Sequence, residues 1–308
     1  MKRILTLLLA MVATDARSAY NPFACGADAD VVIAVHDEEG AVVSNADVRV
    51  SFLVAPTREE VRTGVTDGDG RFVAKSSRCI GTYTVEVQKK GFYDSFSRRS
   101  ARSLSGDDVQ RMRKWSENAK CEDVVLRAIH SPVHLVRHGD AGLRYPATNE
   151  VLRLDLERFD WCPPFGGGRH DDIHLVFEAT HSAETWREFV NNLRVTFPNG
   201  VDGFYRRQIE FPDSRFRYVY HADRGAVYEK ELNLLFGRTA SVVTNDVRLA
   251  KGEYLVYRVR TQTNELGQVT TAHYGRIGEG FGHLLRLKMS SWFNPTVNDT
   301  NLEDARAR

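Results

Sequence analysis

Ala46-Asp-Val-Arg-Val-Ser-Phe52 sets Ala46, Val48, Val50 and Phe52 on one side of an extended chain and Asp47, Arg49 and Ser51 on the other. A period of two residues is the mark of a strand with one buried face. Upstream, Val31-Val-Ile-Ala-Val35 is a β-branched apolar run that ends in the turn cluster Asp37-Glu-Glu-Gly40, so it reads as a buried strand and a turn. Downstream, Val61-Arg-Thr-Gly-Val65 is a short strand, and Thr66-Asp-Gly-Asp-Gly70 turns into Arg71-Phe-Val-Ala-Lys75. Gly81-Thr-Tyr-Thr-Val-Glu-Val87 then alternates Tyr83, Val85 and Val87 inward and stops at Lys90-Gly-Phe92. Several short strands at this spacing predict an all-β sandwich.

The chain before this region opens with Met1-Lys2-Arg3, an apolar stretch over 4–13 broken by Thr6, and small or polar residues through Ala16, Ser18 and Ala19. That order predicts a secretory signal peptide over 1–19 and an extracytoplasmic protein, periplasmic or secreted. The stretch is too short to span a bilayer, which takes about 20 apolar residues, and no second one approaches that length, so no transmembrane segment is expected. The 42 Lys and Arg against 41 Asp and Glu give a net charge of +1, which removes the electrostatic reason to expect a nucleic-acid partner.

Gly40, Ala46-Asp-Val-Arg-Val50, Thr66-Asp-Gly-Asp-Gly-Arg-Phe72, Gly81-Thr-Tyr-Thr-Val85 and Gly91-Phe92 together resemble the carboxypeptidase regulatory-like domain over residues 31–128. The resemblance implies a seven-stranded transthyretin-like sandwich over 26–128, within the carbohydrate-binding-like class, and is nearly silent on activity. The chain departs from the pattern after Phe92. An insertion follows in which Ser105 or Asp107 caps an expected helix carrying Val109, Met112 and Trp115, before the last strand, Asp123-Val-Val-Leu-Arg127. Four cysteines, Cys25, Cys79, Cys121 and Cys162, allow three full pairings. Because first and last strands are often neighbours in such sandwiches, Cys25–Cys121 is the expected bridge. Cys25 as a lipid-modified terminus is disfavoured by its distance from the apolar stretch and by the preceding Pro22-Phe-Ala24.

Residues 129–150, with Pro132, Gly139 and Pro146, read as a linker to a C-terminal antiparallel β domain over 151–308. Its expected strands cover 151–156, 172–179, 193–197, 204–211, 215–220, 231–236, 252–261, 269–277 and 283–289, with a hairpin turn at Asn264-Glu-Leu-Gly267 and a weak helix signal over 183–191. Ser291-Trp-Phe-Asn-Pro-Thr-Val-Asn-Asp-Thr-Asn-Leu-Glu303, with Tyr274-Gly-Arg276, resembles the C-terminal region of uncharacterised secreted bacterial proteins that carry the same regulatory-like module. That implies shared architecture and nothing about chemistry.

The chemistry-bearing patterns are few. His36-Asp-Glu-Glu39 fits a zinc H-x-x-E, but it closes the first strand of a sandwich and reads as a chance match. His170-Asp-Asp-Ile-His174 with His181 is the densest ligand cluster. In the expected strand, His170 and His174 stand roughly 13 Å apart, too far for one ion. His170, Asp171 and Asp172, with His181, remain the metal alternative, with loop carboxylates as Ca²⁺ ligands. No G-x-S-x-G elbow, Walker loop or dinucleotide fingerprint occurs, and no cofactor is expected. The binding candidates are aromatic: Phe159, Trp161 and Phe165 around the Pro163-Pro164 and glycine-rich loop, and Phe216, Tyr218 and Tyr220 on one expected strand face. Exposed, either set makes a stacking platform for sugar rings; buried, either is core. The leading reading is thus a non-catalytic exported protein that binds a polysaccharide or an envelope protein. Its rivals are a metal-dependent hydrolase and a structural envelope component.

Overall fold

The computed structural model describes residues 27–100, 121–181, 189–238, 243–246, 249–278, 281–283 and 286–307. The expected signal peptide, Cys25 and the expected helix at 105–115 lie outside the described residues. Among the described residues the fold is nearly all β, with several antiparallel sheets and a 3-10 turn at Ala305–Ala307, and contains no α-helix. Among the described residues no helix is long and apolar enough to cross a membrane.

Seven strands make the N-terminal sheets: β1 Ala27–Asp37, β2 Asp47–Ala55, β3 Arg58–Val65, β4 Arg71–Cys79, β5 Thr82–Gln88, β6 Ser95–Ser100 and β7 Cys121–Leu126. One sheet runs β4-β1-β7 and the other β3-β2-β5-β6, a sandwich-like arrangement. The alternation read from sequence holds: Ala46, Val48, Val50, Phe52, Tyr83 and Val85 are buried. β6 follows Phe92 where the sequence suggested only an insertion.

Twelve strands follow: β8 Val136–Arg144, β9 Val151–Asp155, β10 Asp160–Trp161, β11 Ile173–His181, β12 Phe189–Thr196, β13 Gly203–Gln208, β14 Glu231–Arg238, β15 Val243–Asp246, β16 Glu253–Thr263, β17 Val269–Ile277, β18 Gly282–His283 and β19 Arg286–Phe293. They form one sheet in the order β10-β9-β11-β12-β14-β15 and a second in the order β13-β16-β17-β19-β18, with β8 added along β19. The inner faces meet in one core. Leu154, Leu175, Leu193 and Leu234 come from the first sheet; Leu255, Tyr257, Ile277 and Phe293 come from the second. The second sheet is covered on its outer face as well, where Tyr254, Val256, Ala272 and Tyr274 pack with Ala222 and Leu302. Burial on both faces explains why Tyr254-Leu-Val-Tyr257 is apolar without a break.

The chain divides into two compact units, the described residues of Met1–Val35, Val43–Glu86 and Ser97–Asp123, and those of His36–Val42, Val87–Phe96 and Val124–Arg308. The division is not one cut in the sequence. The stretch 129–150, expected as a linker, supplies β8, whose Val136 and Leu143 reach the core. Of the weak helix signal at 183–191, residues 183–188 lie outside the described residues, and the rest begins strand β12.

One expected strand, 215–220, is not a strand. Its backbone groups are satisfied one at a time instead of in a ladder. The buried Arg127 guanidinium donates to the carbonyls of Phe216 (3.0 Å) and Tyr218 (2.6 Å), Val219 N–H donates to Tyr254 Oη (3.1 Å), and Leu302 N–H donates to Tyr220 O (2.7 Å). The alternation of Phe216, Tyr218 and Tyr220 is real, but a cation and a crossing segment meet it.

One turn solution recurs three times. In Asp37-Glu-Glu-Gly40, Asp67-Gly-Asp-Gly70 and Asn264-Glu-Leu-Gly267 the first side chain's Oδ1 accepts the N–H groups two and four residues on. The closing glycine sits at φ 83°, 69° and 73°, a region that a Cβ disfavours.

Candidate functional site

The site is built on the outer face of the second sheet. In β17, Gly275 and Ile277 face the core, so Arg276 between them points outward. Register pairs Arg276 with Trp292 of β19, and Trp292 with Arg137 of β8. The result is a cross-strand row in which one indole lies between two guanidinium groups, with ring-centroid distances of 4.5 Å to Arg276 and 5.5 Å to Arg137. Gly275 is fixed by close approach, since a Cβ there would run into Tyr257 Oη and the Trp292 carbonyl.

The irregular segment at 215–218 and the C-terminal residues 304–307 wall in this row and leave a cavity of about 490 Å³. Among the described residues that line it, five are arginines (Arg137, Arg215, Arg217, Arg276 and Arg306) and one, Asp304, is acidic. Asp304 already lies 3.5 Å from Arg306, and Arg215 lies 3.7 Å from Asp94. Phe216, Tyr218 and Trp292 supply the aromatic walls.

Arg276 is the unusual member. It is 2% exposed, yet its contacts among the described residues are the Leu302 carbonyl and the rings of Tyr218 (4.3 Å), Trp292 (4.5 Å) and Phe216 (5.6 Å). Its Nε is buried without a hydrogen-bond partner among the described residues. Burial pushes the guanidinium down to about 10; Tyr218, Asp304 and Tyr254 pull it partly back, and the neighbouring Arg137 charge pushes it further down. An unsatisfied buried donor costs about 1–3 kcal/mol. The cavity therefore holds a cation that the fold has desolvated and only partly answered.

The Asn- and Asp-rich stretch 294–303 supports this wall. Asn294 Nδ2 donates to Asp299 Oδ2 (2.9 Å) and the Asn301 carbonyl (2.9 Å), and Asn298 Oδ1 accepts Ala272 N–H (3.0 Å). Glu303 is buried and accepts Tyr93 Oη–H (2.8 Å) and the N–H groups of His130 (2.9 Å) and Ser131 (2.7 Å). These contacts show why the closing stretch is rich in Asn and Asp: Asn294, Asp299 and Asn301 accept N–H groups two residues on within the stretch, and Asn298 ties it to β17.

The residues singled out from sequence lie elsewhere. Phe159 (7% exposed) and Trp161 (5%) belong to the core between the sheets, and Trp161 Nε1 donates to the Arg144 carbonyl (3.0 Å). Phe165 alone of that trio is exposed, so the three do not share a surface. His170 is exposed in the loop before β11; Asp171 pairs with His174 (3.0 Å). Asp172 is fully buried and bonded to Arg260 (2.8 Å) and to Leu156 N–H (2.8 Å), while His181 ends β11. Among the described residues no three His, Cys, Asp or Glu side chains are grouped to hold a metal ion. Glu38, of the H-x-x-E match, bonds Arg127 (3.0 Å) and Tyr220 (2.9 Å). Cys121 is exposed at the start of β7, while Cys25 lies outside the described residues. The sequence reading missed the arginine cavity because its residues are scattered from 137 to 306 and a net charge of +1 conceals a local excess. The one available signal was the pair Tyr274-Gly-Arg276 and Ser291-Trp-Phe293, singled out for resemblance and not for chemistry.

The chain matches no protein-family model and no curated protein.

Proposed function

We propose that this protein acts outside the cytoplasm as a non-catalytic binding protein for a polysaccharide, which it holds in the arginine and aromatic cavity. The observation that carries the reading is the row Arg276–Trp292–Arg137 opening into about 490 Å³, a volume within the range of ligand sites. Guanidinium groups and ring faces hold sugars well and react with them poorly. Glycoside hydrolysis needs a pair of carboxylates, whereas the described lining offers Asp304, already engaged by Arg306. The basic pair and apolar stretch at the N-terminus support export, and the resemblance to the regulatory-like domain, whose members serve mostly as binding appendages or scaffolds, supports binding.

The test is a glycan array probed with the purified protein and with Gly278→Ala. A Cβ at Gly278 would stand 3.0 Å from the Trp292 ring and 3.4 Å from Tyr218 Oη, so the substitution crowds the cavity while leaving every charge in place. Binding of one polysaccharide class by the parent and its loss in the variant, with Phe165→Ala unaffected, is the expected result. Absence of glycan binding, or binding indifferent to Gly278→Ala, overturns the reading and turns attention to an envelope protein as the ligand.

A further inference from the structure

Building on the reading of the cavity as a saccharide site, we propose that it recognises its ligand by a carboxylate, so that the polysaccharide is an acidic one of the uronic-acid type. Three observations converge. The lining carries five arginines, of which Arg306 pairs with Asp304 and Arg215 with Asp94, so an entering group meets an excess of positive charge. Arg276 is desolvated and makes no ion pair among the described residues, and one of its N–H groups has no partner there. Arg137 and Arg276 flank the same indole, so their mutual repulsion is relieved by an anion and by nothing neutral.

Geometry selects the kind of anion. The Arg276 guanidinium has ring faces of Tyr218 and Trp292 beside it, 4.3 and 4.5 Å from its carbon, and its Nη1 donates to the Leu302 carbonyl, which leaves the edge bearing Nε and Nη2 for bonding. A planar carboxylate meets such an edge in plane with both oxygens. A uronate joins the carboxylate directly to the sugar ring, which brings that ring against Trp292.

The experiment is calorimetric titration with three probes: galacturonate oligomers, the same oligomers fully methyl-esterified, and sulfated neutral oligomers of equal length. The parent protein is expected to bind the acid form at least about tenfold more tightly than the ester or the sulfate. Arg137→Gln, at an exposed position, is expected to weaken the acid form by about tenfold and to flatten its salt dependence while the fold is unchanged. Arg276→Lys, which keeps the charge and loses the fork, should weaken it as well.

Equal affinity for acid and ester overturns the carboxylate and leaves the saccharide reading standing. Preference for the sulfated probe overturns the carboxylate in favour of another oxyanion. Acetate that binds while every oligomer is silent supports the anion site and overturns the saccharide reading. No binding of any probe or free anion overturns both.

Discussion

Two arginines in the C-terminal sheets, Arg260 and Arg276, are both largely buried, and the fold treats them in opposite ways. Arg260 lies in a bulge of β16 at φ 56° and meets carboxylates on every side: Asp172 at 2.8 and 3.0 Å, Glu157 at 2.7 Å and Asp155 at 3.4 Å. Burial works to lower its pKa, but the hydrogen bonds and charges of Asp172 and Glu157 win and hold it above the ordinary value. Arg276, one strand away in β17, has a carbonyl and aromatic faces for company, and burial wins. A saturated ion network locks a structure. A desolvated cation with donors to spare is a place for something else.

The contrast breaks first on stability. Arg260→Met leaves Asp155 and Asp172, both fully buried, without their cation, and unfolding by denaturant should show a loss of about 3–5 kcal/mol. Arg276→Met orphans no carboxylate and leaves the buried Leu302 carbonyl without its donor, so the same measurement should show a smaller loss, about 1–3 kcal/mol. Equal losses in the two variants would erase the distinction between them.

Gly278→Ala comes next. It should cost about 1–3 kcal/mol by crowding Trp292 and should cut ligand affinity more than tenfold, read by thermal unfolding and calorimetry on one preparation. A smaller effect belongs to acid. Burial tends to raise the Asp155 carboxyl, but N–H donors from Arg158, Arg169 and His170, with the Arg260 charge, outweigh it and hold the group below the usual carboxylate range. A depressed folded value means stability that is complete above the unfolded pKa, about 3.9, and lost as pH falls through the lower folded one. Asp155→Asn should therefore flatten the stability curve below about pH 4, whereas Arg137→Gln should leave that limb unchanged. The smallest effect is expected of Phe165→Ala, within about 0.5 kcal/mol and without change in binding, since that ring is exposed and remote in sequence from the cavity lining.

The sheets were legible in the sequence because a period of two residues is a local signal: Val48, Val50 and Phe52 announce their face without help from the rest of the chain. The segment 215–220 shows the limit of that signal. Its alternation obeys the same rule, but what decides between ladder and irregular backbone is Arg127, about ninety residues away in the chain, reaching two of its carbonyls. β8 was hidden for a similar reason: Gly139 and Gly142 weaken its strand signal, and its pairing with β19 is set from the far end of the chain. The cavity was least legible of all. Arg137, Trp292 and Arg276 meet through strand register, and register between distant strands leaves no trace in composition or spacing. Trp161, by contrast, stood out among aromatics in a glycine-rich loop, yet the glycines serve close packing: a Cβ at Gly168 would lie 2.7 Å from the Asp160 carbonyl.

The most direct test follows the Nε–H resonances of the two arginines by nuclear magnetic resonance as galacturonate oligomers are added. The account predicts that the Arg276 signal moves with saturation while the Arg260 signal, held by Asp172, stays in place. A stationary Arg276 signal in the presence of bound oligomer, or equal movement of both, would contradict it.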